Sequence, residues 1–382
     1  MLLLRNVVQP YNWGPVDGLA RLLGSEPTGE HEAELWVGTH ERGPSTVVAG
    51  DPGAEGRTLA EVVGDLPFLL KVLAIGRVLS LQAHPSTEQA ASGFAREEEA
   101  GLPIDAPDRN YRDAGAKPEV LVALEPTWVL CGFRPADEAA DLLHALGVPE
   151  LGPLVDKLRG RGADTLLDAL GWLLRLGAED RDVVARAASA AAGCVDAAWR
   201  ADPRAWAALL ARQHPGDPMC VAPLLLELLE LAPGDAVHLP AGNLHAYLEG
   251  AGVELMSTSD NVLRGGLTSK HVDVDELLHV LRPEVGLPPP PARRVDGALT
   301  IYDCGEPSFG LVRVELGDEP VELAPVRGSL LLPVGGEADL AGPSGGLTVG
   351  HGDAVYASAG EAIAASGRGS LWWATTGDGL PG

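Results

Sequence analysis

Cysteine pairs, an excess of basic residues and long apolar runs are all missing from this chain of 382 residues. The four cysteines, Cys131, Cys194, Cys220 and Cys304, are far apart, with no CxxC pair and no framework spacing. That pattern excludes a disulfide scaffold and fits free thiols in a reducing compartment. With 28 basic residues against 54 acidic ones the formal charge is −26, so the molecular field repels nucleic acid and anionic membrane surfaces. No apolar run approaches the ~20 residues of a membrane span, and the opening MLLLRNVVQPYNWG lacks the pattern of a secretory leader. The expectation is a cytoplasmic protein with neither nucleic acid nor membrane as partner. A phosphorylated substrate would have to be caught by a local cluster of cations.

What is present is enough apolar residue, 46%, for two or three domains with large cores. Up to about residue 130 the texture is short strands punctuated by Gly and Pro, such as AELWVGTH (33–40) and VLSLQAHP (78–85). From about 134 to 230 it becomes Ala- and Leu-rich and amphipathic. PADEAADLLHALG, ADTLLDALGWLLRLG, DRDVVARAASAAAG and PRAWAALLARQ read as helices, with PLLLELLEL closing the run. Strand texture returns in DAVHLPAGNLHAYLEGAGVELM (235–256), followed by a helix in DVDELLHVLRP (273–283). GLPPPPARR (286–294) marks a joint, and after it FGLVRVEL, GSLLLPVGG and AVYASAG fit a small β-sandwich. The expected division is a β region over 1–132, a helical insertion over 133–230, a second part of the β core over 231–285 and a C-terminal β domain over 286–382.

Three separated stretches carry the four residues of one metal site: Gln82 and His84 in LSLQAHP, Glu119 in AKPEVLV and His245 in PAGNLHAYL. Two imidazoles, a carboxylate and an amide oxygen form a mixed N/O shell that suits zinc and leaves room for a further oxygen. If VLSLQAHP is a strand, Leu79, Leu81 and Ala83 share one face and Ser80, Gln82 and His84 the other. Taken alone, a Gln and a His two apart are more often a surface pair, and a lone His245 a hydrogen-bonded core residue. Tyr247 shares the face of His245, after a turn that resembles the metal-binding hairpin of cupin barrels. Lys117-Pro118-Glu119 runs straight into the apolar VLVAL, where a charge needs a partner. In SDNVLRGGLTSK (259–270), Asp260, Arg264 and Lys270 place an acid and two cations around a tight loop; an Arg fork suits phosphate or a developing oxyanion.

Together these stretches resemble the type I phosphomannose isomerases, which are zinc-dependent cupin enzymes. The resemblance rests on YNWG (11–14), AELWVGTHERGPS (33–45), LPFLLKVLAIGRVLSLQAHP (66–85), YRDAGAKPE (111–119) and PAGNLHAYLEGAGVELMSTSDNVLRGGLTSK (240–270). It implies a mainly β fold: cupin-type jelly-roll β domains with an inserted α-helical domain and a C-terminal β unit. It further implies one Zn²⁺ per chain on Gln82, His84, Glu119 and His245. Arg264, Asp260 and Lys117 would be catalytic, and Lys71, Glu34, Tyr247, Glu254 and Lys270 would line the pocket of a phosphorylated hexose. The implied reaction moves a proton between C2 and C1 of mannose 6-phosphate and fructose 6-phosphate, feeding GDP-mannose synthesis, in a monomer or homodimer.

One departure stands out. Where the family reads Asp-x-Asn-His-Lys-Pro-Glu, this chain has Asp113-Ala114-Gly115-Ala116-Lys117-Pro118-Glu119. A proton carrier at the missing histidine is therefore unavailable, which leaves Asp260, Glu254, Lys117 and a metal-held hydroxide open as the base. A related cupin sugar-phosphate isomerase, a cupin oxygenase using iron or manganese, and a zinc-stabilised sugar-binding module without turnover are the rival expectations.

Overall fold

The computed structural model describes residues 1–160, 164–190, 199–343 and 345–382. Cys194 and the end of the segment DRDVVARAASAAAG lie outside them. Cys131, Cys220 and Cys304 are free, the first two buried.

Ten strands drawn from residues 7–133 and 226–264 form one sheet assembly. Its main path runs Ala236–Leu239, Glu119–Ala123, His245–Ser257, Phe68–Ile75, Glu34–Val37 and Val7–Gln9, with Gln82–Ala83, Thr127–Phe133, Leu226–Leu231 and Leu263–Arg264 attached beside it. Every residue of Phe68–Ile75 is buried, so both faces are covered and the period of 2 sorts the side chains. Phe68, Leu70, Val72 and Ala74 join Val120, Val122, Val253 and Leu255 in a core against Leu311, Leu330, Leu332 and Trp372 of the C-terminal unit. The alternate residues Leu73 and Ile75 join Leu121, Val129 and Tyr247 in a second core on the opposite face. Lys71 has the parity of that second set, which fixes where the polar residues of the fold collect.

The helical segment packs on the far side of the hairpin that carries His245. Helices Ala136–Ala145, Gly152–Leu158, Thr165–Leu174 and Pro203–Gln213 share a core with Leu81, Ala83, Leu130, Leu244, Ala246 and Leu263. These strand residues alternate with Gln82, His245 and Arg264, so apolar burial on one face aims the polar set to the other.

Three expectations need correction. The end of PLLLELLEL is a strand, Leu226–Leu231, after a single helical turn Ala222–Leu225. Alternating Leu and Glu satisfies a strand as well as a helix, and pairing with Thr127–Phe133 decides it. VLSLQAHP contributes only the two-residue strand Gln82–Ala83, although Gln82 and His84 still converge. The first 130 residues also hold a 13-residue helix, Thr87–Glu99, closed at its start by a Ser86/Gln89 capping box.

The C-terminal unit is a sandwich, an eight-stranded sheet facing a four-stranded one across Val312, Leu331, Leu340, Val355 and Trp373. Two of the eight strands, Leu2–Arg5 and Thr46–Ala49, come from the start of the chain: Leu2–Arg5 pairs with Ala354–Ala357. The sheet thus crosses the division drawn between 1–132 and 286–382.

Candidate metal centre and substrate cleft

A three-strand ladder builds the centre. His245 pairs with Gln82, and Gln82 pairs on its other side with Arg264. Glu119 opens the next strand in, opposite Met256 of the long strand His245–Ser257. The result is a cage in which Glu119 Oε2 lies 3.4 Å from His84 Nε2 and 3.5 Å from His245 Nε2. The amide of Gln82 is 3.3 Å from His245 Nε2, and a half-turn of that amide presents its oxygen instead of its nitrogen.

The other ring nitrogens are committed elsewhere. Nδ1 of His84 donates to the carbonyl of Asn261 at 2.9 Å, and Nδ1 of His245 to the carbonyl of Asn243 at 3.1 Å. Carbonyl acceptors at Nδ1 put each proton there and leave both Nε2 lone pairs facing inward, the arrangement metal-ligating histidines use. Burial, against the pull of Glu119, pushes the His84 imidazole down to about 4, so it is a neutral donor at physiological pH. His84 Nε2 and Glu119 Oε2 are buried with no hydrogen-bond partner. A cation would satisfy both, and the donor set fits zinc.

Behind Glu119 stands Lys117, whose ammonium is 2.7 Å from Oε1. Burial pushes the Glu119 carboxyl up, but Lys117 and the two imidazoles outweigh it and hold the group well below the usual carboxylate range.

Deeper in the barrel, Lys71 sits directly across from Glu254 in the strand register. Its Nζ is 3.1 Å from Glu254 Oε2 and 3.5 Å from Glu34 Oε2, and Tyr247 donates to Glu254 Oε1 at 2.9 Å. Burial pulls the Lys71 ammonium down, yet Glu34 and Glu254 more than restore it. Tyr247 and Glu254 differ in strand parity and can meet only because the pairing register shifts between Tyr247 and Glu249. Gly250 makes that shift possible: its φ is +128°, and a Cβ there would lie 2.5 Å from Thr127 Oγ1.

At the mouth, Asp260 Oδ1 is 2.5 Å from Arg42 and 3.4 Å from the buried His40. Burial pushes the Asp260 carboxyl up, but His40 and Arg42 bring it below its ordinary value. Arg264 is half-buried, and burial together with Arg112 lowers its guanidinium. Lys270, at the exposed rim, is lowered by partial burial and by Arg264, Arg42 and Arg112. Among the described residues Arg264, Arg112 and Lys270 have no carboxylate partner within ion-pair distance. Three cations left unpaired side by side, in a protein with a formal charge of −26, form a place for an anion.

Every residue selected from the sequence thus falls into one of these connected groups. His40, Arg42, Trp36, Arg112 and Asn261 were not selected. Trp36 donates to Glu34 at 2.5 Å and lies under both Lys71 and Arg42; its alternation with Glu34 in AELWVG was the available signal. Asn261 is fully buried. Its side chain accepts from the Arg112 N–H at 2.7 Å and donates to the carbonyls of Asp113 and Gly115 at 2.8 and 2.9 Å. Ser257 and Ser259 hold the carbonyls of Ala116 and Gly115. The loop is anchored through its backbone, so Gly115 and Ala116 leave Lys117 and Glu119 in place without side-chain help.

Residues 1–136 match the model of the phosphomannose isomerase type I catalytic domain. The chain is 32% identical to mannose-6-phosphate isomerase of Escherichia coli (strain K12), covering 96% of this chain and 97% of that one. It is 33% identical to mannose-6-phosphate isomerase of Bos taurus, over 94% and 93% of the two chains. Among solved structures, a variant of phosphomannose isomerase from Salmonella typhimurium superimposes with a TM-score of 0.87 at 30% identity, covering 98% of this chain and 99% of that one. A zinc-bound mannose 6-phosphate isomerase does so with a TM-score of 0.83, also at 30% identity and with the same coverage. With its sequence and fold matched over nearly its whole length, the chain belongs to the type I phosphomannose isomerases, zinc enzymes of the cupin fold.

Proposed function

We propose that this protein is a zinc-dependent aldose–ketose isomerase that interconverts mannose 6-phosphate and fructose 6-phosphate. The observation that carries the reading is the adjacency of the His84–Glu119–His245 cage to the unpaired cations Arg264, Arg112 and Lys270, with Arg264 bonded in register to Gln82. A cage without the cations would suit many cupin activities; the pair suits a phosphorylated sugar.

Gln82, His84, Glu119 and His245 would hold the zinc, which supplies Lewis-acid polarisation of the sugar carbonyl. The remaining work falls to side chains. Moving from aldose to ketose takes a proton from C2, returns one to C1, and shifts a proton from O2 to O1. Negative charge develops on both oxygens on the way, and Arg264 is the preorganised cation nearest the ligand ladder. Lys270 and Arg112 bind the phosphate.

For the base, the candidates differ in what their atoms already do. Both oxygens of Glu254 are occupied, Oε1 by Tyr247 and Oε2 by Lys71. The Lys117 ammonium is held against Glu119. Asp260 has Oδ1 occupied by Arg42, but Oδ2 carries no partner among the described residues. It is the carboxylate able to accept and return the proton. Lys71, Glu34, Glu254 and Tyr247 form the polar wall that receives the sugar hydroxyls.

The same reading places the enzyme in the cytoplasm, as a monomer or homodimer, ahead of GDP-mannose synthesis. It keeps the four-part division at residues 132, 230 and 285 as a functional one. Turnover of mannose 6-phosphate to fructose 6-phosphate, coupled to a reporter reaction, tests it on purified protein, on chelated protein and after zinc is returned. Activity lost with the metal and regained with zinc is expected. Binding of the sugar phosphate with no turnover in the zinc-loaded protein would instead identify a sugar-binding module.

A further inference from the structure

We propose that His40 is a positioning residue for Asp260: by setting its Nε2 against Oδ1 at 3.4 Å it helps fix the carboxylate so that Oδ2 alone faces the substrate. This rests on the reading of Asp260 as the proton-transfer group.

The geometry constrains the imidazole from three sides. Its Nδ1 accepts the backbone N–H of Arg42 at 3.3 Å, which puts the proton of the neutral ring on Nε2. That nitrogen is 3.4 Å from Asp260 Oδ1. The ring meets Trp36 edge-on, with centroids 4.9 Å apart and planes 75° apart, and Trp36 is itself held by Glu34 through its indole N–H. His40 is 5% exposed, so it is walled off from solvent. Of the ten histidines, two belong to the metal cage, and His40 is the one that touches a carboxylate of the mouth.

A carboxylate bonded at one oxygen can still swing about its Cβ–Cγ axis. Arg42 alone does not prevent this, because its guanidinium is exposed and long. A second polar contact on the same oxygen, from a rigid and packed ring, restrains the plane. Asp260 is also fixed through its backbone, whose N–H donates to Asp113 Oδ2 at 2.9 Å. The charged and titratable groups facing Asp260 are His40 and Arg42 after the strand Glu34–Val37, Lys117 and Asp113 before the strand Glu119–Ala123, and Tyr11 of the N-terminal loop. Its carboxyl lies below the ordinary value despite burial, with His40 the first of the groups that lower it. Loss of the Nε2 donor therefore raises the Asp260 pKa and moves the acid limb of the pH–rate profile to higher pH.

The test compares two amides at one position. The nitrogen of Gln reaches the place of Nε2, whereas that of Asn reaches only the place of Nδ1. His40→Asn should lose turnover by about 10²-fold, the scale of a misplaced reacting group, and its acid limb should move up relative to wild type with the same substrate. His40→Gln should stay within a few-fold of wild type with the limb in place, and both should keep full zinc content. Equal turnover and equal acid limbs in the Asn and Gln variants would overturn the proposal. Asp260→Asn run alongside separates the two claims: if it retains turnover, the assignment of Asp260 as base is wrong. If it is inactive while His40→Asn behaves as wild type, only the role of His40 is wrong.

Discussion

Glu119 divides its two oxygens between two neighbours of opposite character: Oε1 lies 2.7 Å from the Lys117 ammonium, while Oε2 is turned to His84 and His245. One carboxylate thereby joins the cage to the loop in front of it. In the metal-free protein, Lys117 is the main counter-charge that this fully buried anion has.

Replacing Lys117 with Met should therefore destabilise metal-free protein by about 3–5 kcal/mol, the scale of an uncompensated buried charge. Zinc should recover part of that loss by taking over the neutralisation. Urea unfolding of the metal-free and zinc-loaded variant measures both; an unchanged midpoint in the metal-free form would mean that the pair contributes nothing to the fold.

Metal retention and turnover should separate between His245 and Arg264. His245→Ala should lose both zinc and activity. Arg264→Ala should keep zinc and lose turnover by ~10²–10³. Zinc should also raise the melting temperature of wild type and Arg264→Ala in a concentration-dependent way, by up to about 4 kcal/mol of stability at a thousandfold excess over its Kd. That rise should be absent from His245→Ala. Metal analysis, calorimetry and the isomerase assay together settle the division.

Arg112 and Lys270 should act on affinity. Arg112→Ala and Lys270→Ala should each raise KM for the sugar phosphate about tenfold or more, as expected for a lost charge-assisted bond, with smaller effects on kcat. Inhibition by inorganic phosphate should weaken in parallel. Raising the ionic strength should weaken wild type more than the double variant, because the cations lie at the rim within reach of screening.

Gly250→Ala should cost ~1–3 kcal/mol through its positive φ and should also lower turnover, since the register shift that brings Tyr247 to Glu254 depends on it. Gly177→Ala, with nothing within 4 Å of its would-be Cβ, serves as the control that leaves both unchanged. Thermal melts and the isomerase assay on the same preparations provide the readouts.

The residues of the His84–Glu119–His245 cage were legible in the sequence because they sit in ordered motifs and because strand parity links Gln82 with His84. The clusters that surround them were not, for definite reasons. His40 reaches Asp260 across 220 residues of chain from a loop beyond Gly38, where no periodicity operates. Arg112 and Asn261 are tied through a backbone N–H, and such contacts leave no side-chain signature. Tyr247 and Glu254 have opposite parity, so alternation alone would have parted them; the register shift between Tyr247 and Glu249 reunites them. At the level of the fold, LELLEL satisfies two periods at once, and the pairing of Leu2–Arg5 with Ala354–Ala357 is a long-range choice that neither segment announces locally.

That last pairing has a consequence for how the molecule comes to be. Leu2–Arg5 leaves the ribosome some 350 residues before its hydrogen-bonding neighbour, roughly 20 to 70 s earlier at 5–20 residues per second. During that interval the edge of Leu2–Arg5 that faces away from Thr46–Ala49 lacks its neighbour. The eight-stranded sheet can therefore close only once nearly the whole chain has emerged, and the catalytic half waits on the distal half to complete its outer wall. A chain cut shortly before residue 354 would carry an open strand edge into solution, a ready template for aggregation.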